Sequence, residues 1–403
     1  EHIAVALLVL NFFWGAFVLV CTISRRRPWF TLTFLAMLAH GWVFHMGFMN
    51  FYLAMGLSFW ALALLWRENW KCALGAAPLL GLAYLAHALP VAWALGIMIY
   101  TWSARRIRPD NRLLLTAAAV VSLAAIGGFL MARFPYRWIV GQILTSTGAD
   151  QVSVFGVKYY PIACLTLALW IALLARLREA RLNFFDVRLQ VCFITSAATL
   201  LLPSQVLLPQ AHHALGFIND RISLFVAILV CALLGEVEAQ KWQKAACAGL
   251  AVLFFSFLYV DTRALNRIEV AAEARISELP ANARVISGLS DPQTVINPLA
   301  HVIDRPCIGH CYSYANYEPS TAWFRVRALP QNAIVTSSYD DSDAMQNGRY
   351  VVNAADTPLF EIYFLNGHLE TRLLEAGSVA QNTNLAAIPT LKQLLRGGGD
   401  RVR

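Results

Sequence analysis

The sequence predicts an all-α polytopic membrane bundle of about ten helices, some of them short hairpins, followed by a small α/β extracytoplasmic domain. Three observations lead there. Apolar residues make up 58% of the 403 and charged residues 14%, against roughly 45–50% and about 25% in soluble domains. The apolar excess lies before residue 262, in runs of spanning length, and only helices or closed barrels satisfy the backbone in hydrocarbon. Lys and Arg gather in five clusters between those runs: Arg25-Arg26-Arg27; Arg67 with Lys71; Arg105, Arg106, Arg108 and Arg112; Arg176, Arg178, Arg181 and Arg188; Lys241 with Lys244. The connections on the other face hold only Arg133, Arg137, Lys158 and the edge residue Arg221. Cytoplasmic loops retain Lys and Arg, so the clusters orient the chain and place residues 262–403 outside the cytoplasm. The net charge of +8 follows from these loops and does not point to nucleic acid.

Ten membrane segments are expected, at residues 3–23, 29–47, 49–66, 72–89, 90–103, 113–132, 159–176, 190–208, 221–240 and 245–261. The second and third form a short pair turning at Gly47-Phe48-Met49-Asn50, and the fourth and fifth a pair broken near His87 and Pro90. Members of both pairs fall short of the ~20 residues of a perpendicular span. Hairpins are preferred to long tilted helices because they keep Arg67 and Lys71 with the other basic loops. Residues 133–158 form an outer loop whose Phe134, Tyr136, Trp138, Tyr159 and Tyr160 suit the headgroup level. The 209–220 connection is also outer.

Residues 1–261 thus form the membrane domain and 262–403 the soluble one. Charges at helical spacing predict a helix over 263–279, closed by Pro280. Short strands are expected at 283–288, 333–336 and 350–352. The chain opens at Glu1-His2 directly on a spanning segment without a basic leader, which reads as the later part of a longer protein.

Several polar groups stand out. His45 and Asn50 at the first turn, with His40 nearby, and His87 at the second break lie at membrane depth, where polar side chains mark pathways or bond between helices. His212, His213, Asn219, Asp220 and Arg221 form the densest polar cluster beside the outer surface. Arg221 opens a helix there and suits a phosphate or diphosphate, while Asp220 either joins it or merely caps the helix and pairs with it. Arg133, Arg137 and Lys158 are further phosphate candidates. Cys307 and Cys311 read as a small disulfide or free thiols; with His301 and His310 they also offer four zinc ligands, a weaker reading, and no metal site is assigned. The six other cysteines sit in apolar helices as small hydrophobes. Tyr312–Pro319 with Trp323, Phe324, Arg325 and Arg327 either stacks on a sugar or forms a folded loop. No Walker, Rossmann, Gly-x-Ser-x-Gly or His-Glu-x-x-His motif occurs.

The stretch Gly47-Phe-Met-Asn-Phe-Tyr-Leu-Ala-Met-Gly-Leu57, running into Leu62-Ala-Leu-Leu-Trp-Arg67, resembles a turn and following helix of bacterial GT-C glycosyltransferases. Leu82-Ala-Tyr-Leu-Ala-His87, Asp220-Arg221 opening a late helix, and Leu279-Pro-Ala-Asn-Ala-Arg-Val285 after the last span are similar to the layout of that family. The resemblance runs loosely over most of the chain. It implies an enzyme of the plasma membrane taking a sugar from a polyprenyl-phosphate donor on the outer face, with membrane lipid and that donor as partners. It also implies an Asp or Glu-Asp pair after the first membrane helix of the family. Nothing here matches that pair, so the catalytic carboxylate is unassigned and expected upstream of Glu1. No cofactor is evident; a divalent metal would need residues outside this chain. A transporter or flippase of lipid-linked saccharide, an O-antigen ligase-like enzyme and a non-catalytic assembly protein stand as alternatives. The first would favour repeated halves and intramembrane charges, which are not seen.

Overall fold

The computed structural model describes residues 2–178, 183–208, 213–290, 294–314, 341, 344–345, 349–365, 368–379 and 383–384. The chain divides into two compact units. The first holds residues 1–154, 158–206 and 216–255; the second holds 155–157, 207–215 and 256–403.

The first unit is helical. Its helices are α1 (His2–Ser24), α2 (Thr31–Ala39), α3 (Trp42–His45), α4 (Met49–Leu65), α5 (Trp70–Ala86), α6 (Ala88–Arg106), α7 (Arg112–Arg133), the short α8 (Gln142–Thr145), α9 (Tyr160–Leu174), α10 (Val187–Leu201) and α11 (Ile218–Leu234). The 36-residue α12 (Lys241–Ile276) continues without a break into the second unit. Among the described residues, four stretches are long and apolar enough to cross a membrane: His2–Ser24, Pro109–Arg133, Val157–Leu177 and Lys241–Ile276. Shorter helices occupy the other expected positions, and three expectations change. The 29–47 segment is two helices, because the chain turns at His40-Gly41. The 190–208 segment stops at Leu201, two residues before Pro203, and residues 205–208 become a strand. The segments at 245–261 and 263–279 are one helix, since no Pro or Gly separates them.

Helix packing follows small residues and caps. A Cβ on Gly15 would lie 2.7 Å from the Gly56 carbonyl oxygen, and one on Gly56 would lie 3.0 Å from the Phe12 nitrogen. Only glycine lets α1 and α4 approach this closely, a device common between apolar helices. The α5–α6 break is made by His87, whose extended backbone starts α6 and whose Nδ1 accepts the Leu89 amide at 3.1 Å. Pro90 sits in the first turn of α6, where its missing N–H costs no helical bond. Ala54 of α4 packs with Ala83 and Val91 on the two sides of the break. The last turn of α6 returns to the start of α5, with Arg105 donating to the Trp66 carbonyl at 3.0 Å and pairing with Glu68 at 3.1 Å. The two helices therefore form the expected hairpin.

The five basic clusters meet at one end of this unit. Arg26 donates to the Glu236 carbonyl at 3.4 Å, and Arg188 pairs with both Glu236 and Asp186. Arg176 donates to the Glu238 carbonyl at 2.7 Å and to Gln243 at 3.3 Å. Arg112 donates to the carbonyls of Ala104 at 2.8 Å and Phe185 at 3.1 Å. Loops far apart in sequence share this surface.

β1 (Tyr136–Arg137) pairs antiparallel with the first residues of β2 (Gln205–Leu208), and β3 (His213–Leu215) follows in the chain. Gln142, 1% exposed, donates to the carbonyls of Thr199 (3.0 Å) and Leu202 (3.1 Å), satisfying the C-terminal end of α10.

In the second unit β4 (Arg284–Ser287), β6 (Tyr312–Ser313), β7 (Leu359–Leu365) and β8 (His368–Leu374) form a sheet in the order β6-β4-β7-β8. β4 runs parallel to β6 and β7, and β7–β8 is antiparallel. β5 (Leu289–Ser290) pairs in parallel with β9 (Thr383–Asn384). Ile268, Ala272 and Ile276 of α12 pack on Val285, Ile362 and Phe364. Glu361, fully buried on β7, accepts from Arg372 Nε of β8 at 2.7 Å. The strand expected at 283–288 is β4, and that at 350–352 reduces to a bridge between Val351 and Val379. The strand expected at 333–336 lies outside the described residues. Cys307 and Cys311 form a disulfide; His310 contacts the Leu279 carbonyl and His301 contacts Asp304.

Candidate functional site: an anion cradle at the mouth of the central helix

Every residue of α11 is buried except Asp220 and Arg221. An apolar helix enclosed on all sides belongs in the interior, so its two charged residues mark the open end. The helix begins after Phe217, whose φ of 54° and ψ of 39° are left-handed, a conformation a bulky non-glycine residue adopts only when its surroundings force it. Here the forcing is aromatic: the Phe217 ring sits 5.6 Å from Trp42 and 5.7 Å from Phe48.

Helical spacing gives α11 three faces. Arg221 and Phe225 point toward α4 and α6, where Phe225 stacks on Trp93 at 4.1 Å and meets Phe51 at 5.9 Å. Asn219, Ser223 and Ala227 form a second stripe, met by residues 148–151. A Cβ on Gly148, which has φ +78°, would lie 2.6 Å from the Ala227 nitrogen, so only glycine fits that contact. Val226, Val230 and Leu233 form the third face. They line an apolar cavity of about 540 Å³ shared with α7, α9 and α10.

The Arg221 guanidinium lies flat against Phe48, with Cζ 4.0 Å from the ring centroid, and 5.4 Å from Phe51. Its Nη1 is 3.3 Å from His87 Nε2, and the His87 ring stands edge-on to Phe51 at 5.4 Å. The protonation of His87 follows from its cap. Nδ1 accepts the Leu89 amide, so it carries no proton, and the neutral ring holds its proton on Nε2. Two donors, Nε2–H and Nη1–H, therefore face each other across 3.3 Å. An anionic oxygen beside them would accept from both. Arg221 Nε is buried without a hydrogen-bond partner, and Arg221 makes no ion pair with a described carboxylate. Asp220 does not pair with it and does not cap the helix by its side chain; its backbone carbonyl accepts from Gln151 Nε2 at 2.8 Å.

Asp150 is the sole acidic residue of 133–158. Its carboxylate accepts from the buried Ser223 hydroxyl and, at 3.0 Å, from Gln151 Nε2. Burial pushes the carboxyl up to about 7; Ser223 holds it down and the charge of Asp220 adds to the rise. Asn219, 1% exposed, has neither side-chain polar atom hydrogen-bonded.

Of the residues expected from sequence, the fold brings Arg221 and His87 together, with Asp220 beside them. Asn50 is exposed and its Oδ1 only accepts the Phe51 amide at 2.8 Å. The His45 ring stands edge-on to Phe44 at 5.3 Å. Arg133 and Arg137 are exposed, Lys158 lies 5.8 Å from the Tyr159 ring, and none of the three touches Arg221. His212 lies outside the described residues, as does the side chain of His213. Tyr314, expected on a sugar-stacking surface, is buried with its hydroxyl on Asp356 at 2.6 Å; the rest of that surface, from residue 315 onward, lies outside the described residues. Asp150, Ser223, Phe48 and Phe217 were not singled out by sequence. Only Asp150 carried a usable signal, as a lone acid in an aromatic loop.

Comparison with protein-family models, curated proteins and solved structures finds no match for this chain. Its chemistry rests on the cradle itself.

Proposed function

We propose that this chain is an integral membrane glycosyltransferase-like protein of GT-C type that binds a polyprenyl-phosphate-linked sugar at Arg221 and His87. The single observation carrying the reading is the half-buried Arg221 guanidinium, which pairs with no described carboxylate and leaves its Nε without a hydrogen-bond partner, 3.3 Å from His87. A phosphate oxygen would accept from the guanidinium, and the aromatic floor of Phe48 and Phe51 lowers the local dielectric, which strengthens a charge-assisted bond. The apolar cavity on the third face of α11 suits the polyprenyl tail. The basic end would lie in the cytoplasm and the cradle at the opposite, outer surface of the plasma membrane, with residues 262–403 outside the cytoplasm.

In this reading the acceptor hydroxyl attacks the anomeric carbon as the bond to the phosphate oxygen breaks, with inversion. Its proton passes to a carboxylate, and the phosphate leaves as an anion held by Arg221 and His87. Asp150, with its carboxyl near neutrality, is the described carboxylate best tuned to take that proton.

The test is polyprenyl-phosphate binding by the detergent-purified chain. Arg221→Gln is expected to weaken binding about 100-fold, and His87→Gln about tenfold, from the loss of charge-assisted bonds worth ~1.5–3 kcal/mol. Unchanged affinity in a folded Arg221→Gln protein would sink the assignment. Movement of the lipid across a bilayer without sugar transfer would favour the flippase reading instead.

A further inference from the structure

A second pocket lies at the other end of α4. α4 spans 17 residues, about 25 Å at 1.5 Å per residue, and Phe48 and Phe51 flank its start while Trp66 closes its end. Around Trp66 a cavity of about 230 Å³ opens between α4, the start of α5 and the last turns of α6. Its walls include Trp66, Trp70, Trp102, Arg105, Arg106 and Thr101. Three indoles at one level of a helical bundle are the side chains that sit at a membrane–water boundary. Trp70 is 68% exposed and Trp102 54%, so the pocket opens sideways to where lipid would be as well as toward water.

The polar atoms of this pocket are unevenly satisfied. Arg105 is committed, bonded to the Trp66 carbonyl and to Glu68. Arg106 is not: it lies over the Trp102 ring at 3.8 Å, its Nη1 donates to the Trp102 carbonyl at 3.1 Å, and no described carboxylate pairs with it. Thr101 is 4% exposed, and its hydroxyl has no hydrogen-bond partner although it lines the cavity. A helical threonine ordinarily bonds the carbonyl four residues back, as Thr116 does with Arg112 at 2.8 Å. A buried, unpartnered hydroxyl on a residue of the cavity wall, an exposed guanidinium held on an indole, and the amide end of α5 together ask for an anion with an apolar body.

We propose that this pocket binds the head group of an anionic phospholipid. The phosphate would take Arg106, the Thr101 hydroxyl would bond a head-group oxygen, and the acyl chains would leave between Trp70 and Trp102. Charge complementarity favours this occupant: Arg105 and Arg106 line the pocket against the single acid Glu68, and Arg67 and Lys71 adjoin its lining residues in sequence. The site is separate from the cradle at Arg221, and it stands or falls independently of the proposed glycosyl transfer.

The experiment uses the purified chain in detergent with dioctanoyl-phosphatidylglycerol, dioctanoyl-phosphatidylcholine and glycerol 3-phosphate as probes, read by native mass spectrometry and titration. Phosphatidylglycerol should bind at least tenfold tighter than phosphatidylcholine, and millimolar glycerol 3-phosphate should not displace it. Arg106→Gln should remove that preference, Thr101→Val should weaken binding threefold or more, and Arg221→Gln should leave it unchanged. Thr101→Val swaps one side chain for another of the same shape, so it remains informative if Arg106→Gln fails to fold. Equal binding of the two lipids, or retention of the preference in both pocket variants, would overturn the proposal. Displacement by glycerol 3-phosphate would reassign the pocket to a free anion.

Discussion

The two ends of the helical unit treat their cations in opposite ways. At the basic end Arg188 sits between Asp186 and Glu236, Arg105 on Glu68, and Arg26, Arg112 and Arg176 on backbone carbonyls. At the other end Arg221 pairs with no described carboxylate, leaves its Nε unbonded, and lies against His87 and Phe48. Paired cations hold loops in place; a cation with no described carboxylate, set in an aromatic pocket, is set up for a ligand. Arg106 at the basic end, held by the Trp102 ring and carbonyl near the unpartnered Thr101 hydroxyl, lines the pocket that carries the second binding proposal.

This contrast can be broken by experiment. Arg188→Ala leaves two carboxylates close together at a partly buried site and should cost about 2–3 kcal/mol in thermal or chemical unfolding, without changing polyprenyl-phosphate affinity. A loss of binding there would erase the distinction between the ends. Asp150 offers a pH test. Its folded carboxyl titrates near 7 against an ordinary value near 3.8, so the folded protein binds the proton more tightly than the unfolded chain. Stability should therefore be highest at low pH and decline as pH rises from about 4 to about 7, by about 2 kcal/mol once partial exposure is allowed for. Asp150→Asn should flatten that decline in a melting series, and a slope unchanged in the variant would refute the shifted carboxyl.

Smaller effects sharpen the same picture. Arg221→Lys keeps the charge but loses the planar fork, and binding of the lipid phosphate should fall about tenfold with little change in stability. Wild-type affinity in the lysine variant would mean that charge alone suffices. Ser223→Ala removes a hydrogen bond that holds the Asp150 carboxyl down, so the pH at which stability declines should move up by about half a unit. A downward shift would show that Ser223 acts through something other than that bond.

Some of this was readable from the residues. The five Lys and Arg clusters, spread over more than two hundred positions, predicted a shared surface that the hydrogen bonds of Arg26, Arg176 and Arg188 realise. His87 with Pro90 predicted the α5–α6 break. The disulfide was one of three open readings, beside free thiols and a zinc site, until the fold brought Cys307 and Cys311 together. Helix ends were less legible: the stop at Leu201 depends on Gln142, fifty-odd residues away, accepting the role of a cap.

What the sequence by itself determined was composition-driven: apolar helices, the gathering of their basic turns, and Arg221 as an out-of-place cation at a helix start. Those features depend on local hydrophobicity and charge, which act residue by residue. Only the tertiary structure decided that His87 meets Arg221 across 134 positions, that Asp150 lies against Ser223, and that Asn50, Arg133 and Arg137 stand apart. Such pairings depend on how buried helix faces pack, and a side chain's partners across the bundle leave no trace in its neighbours along the chain.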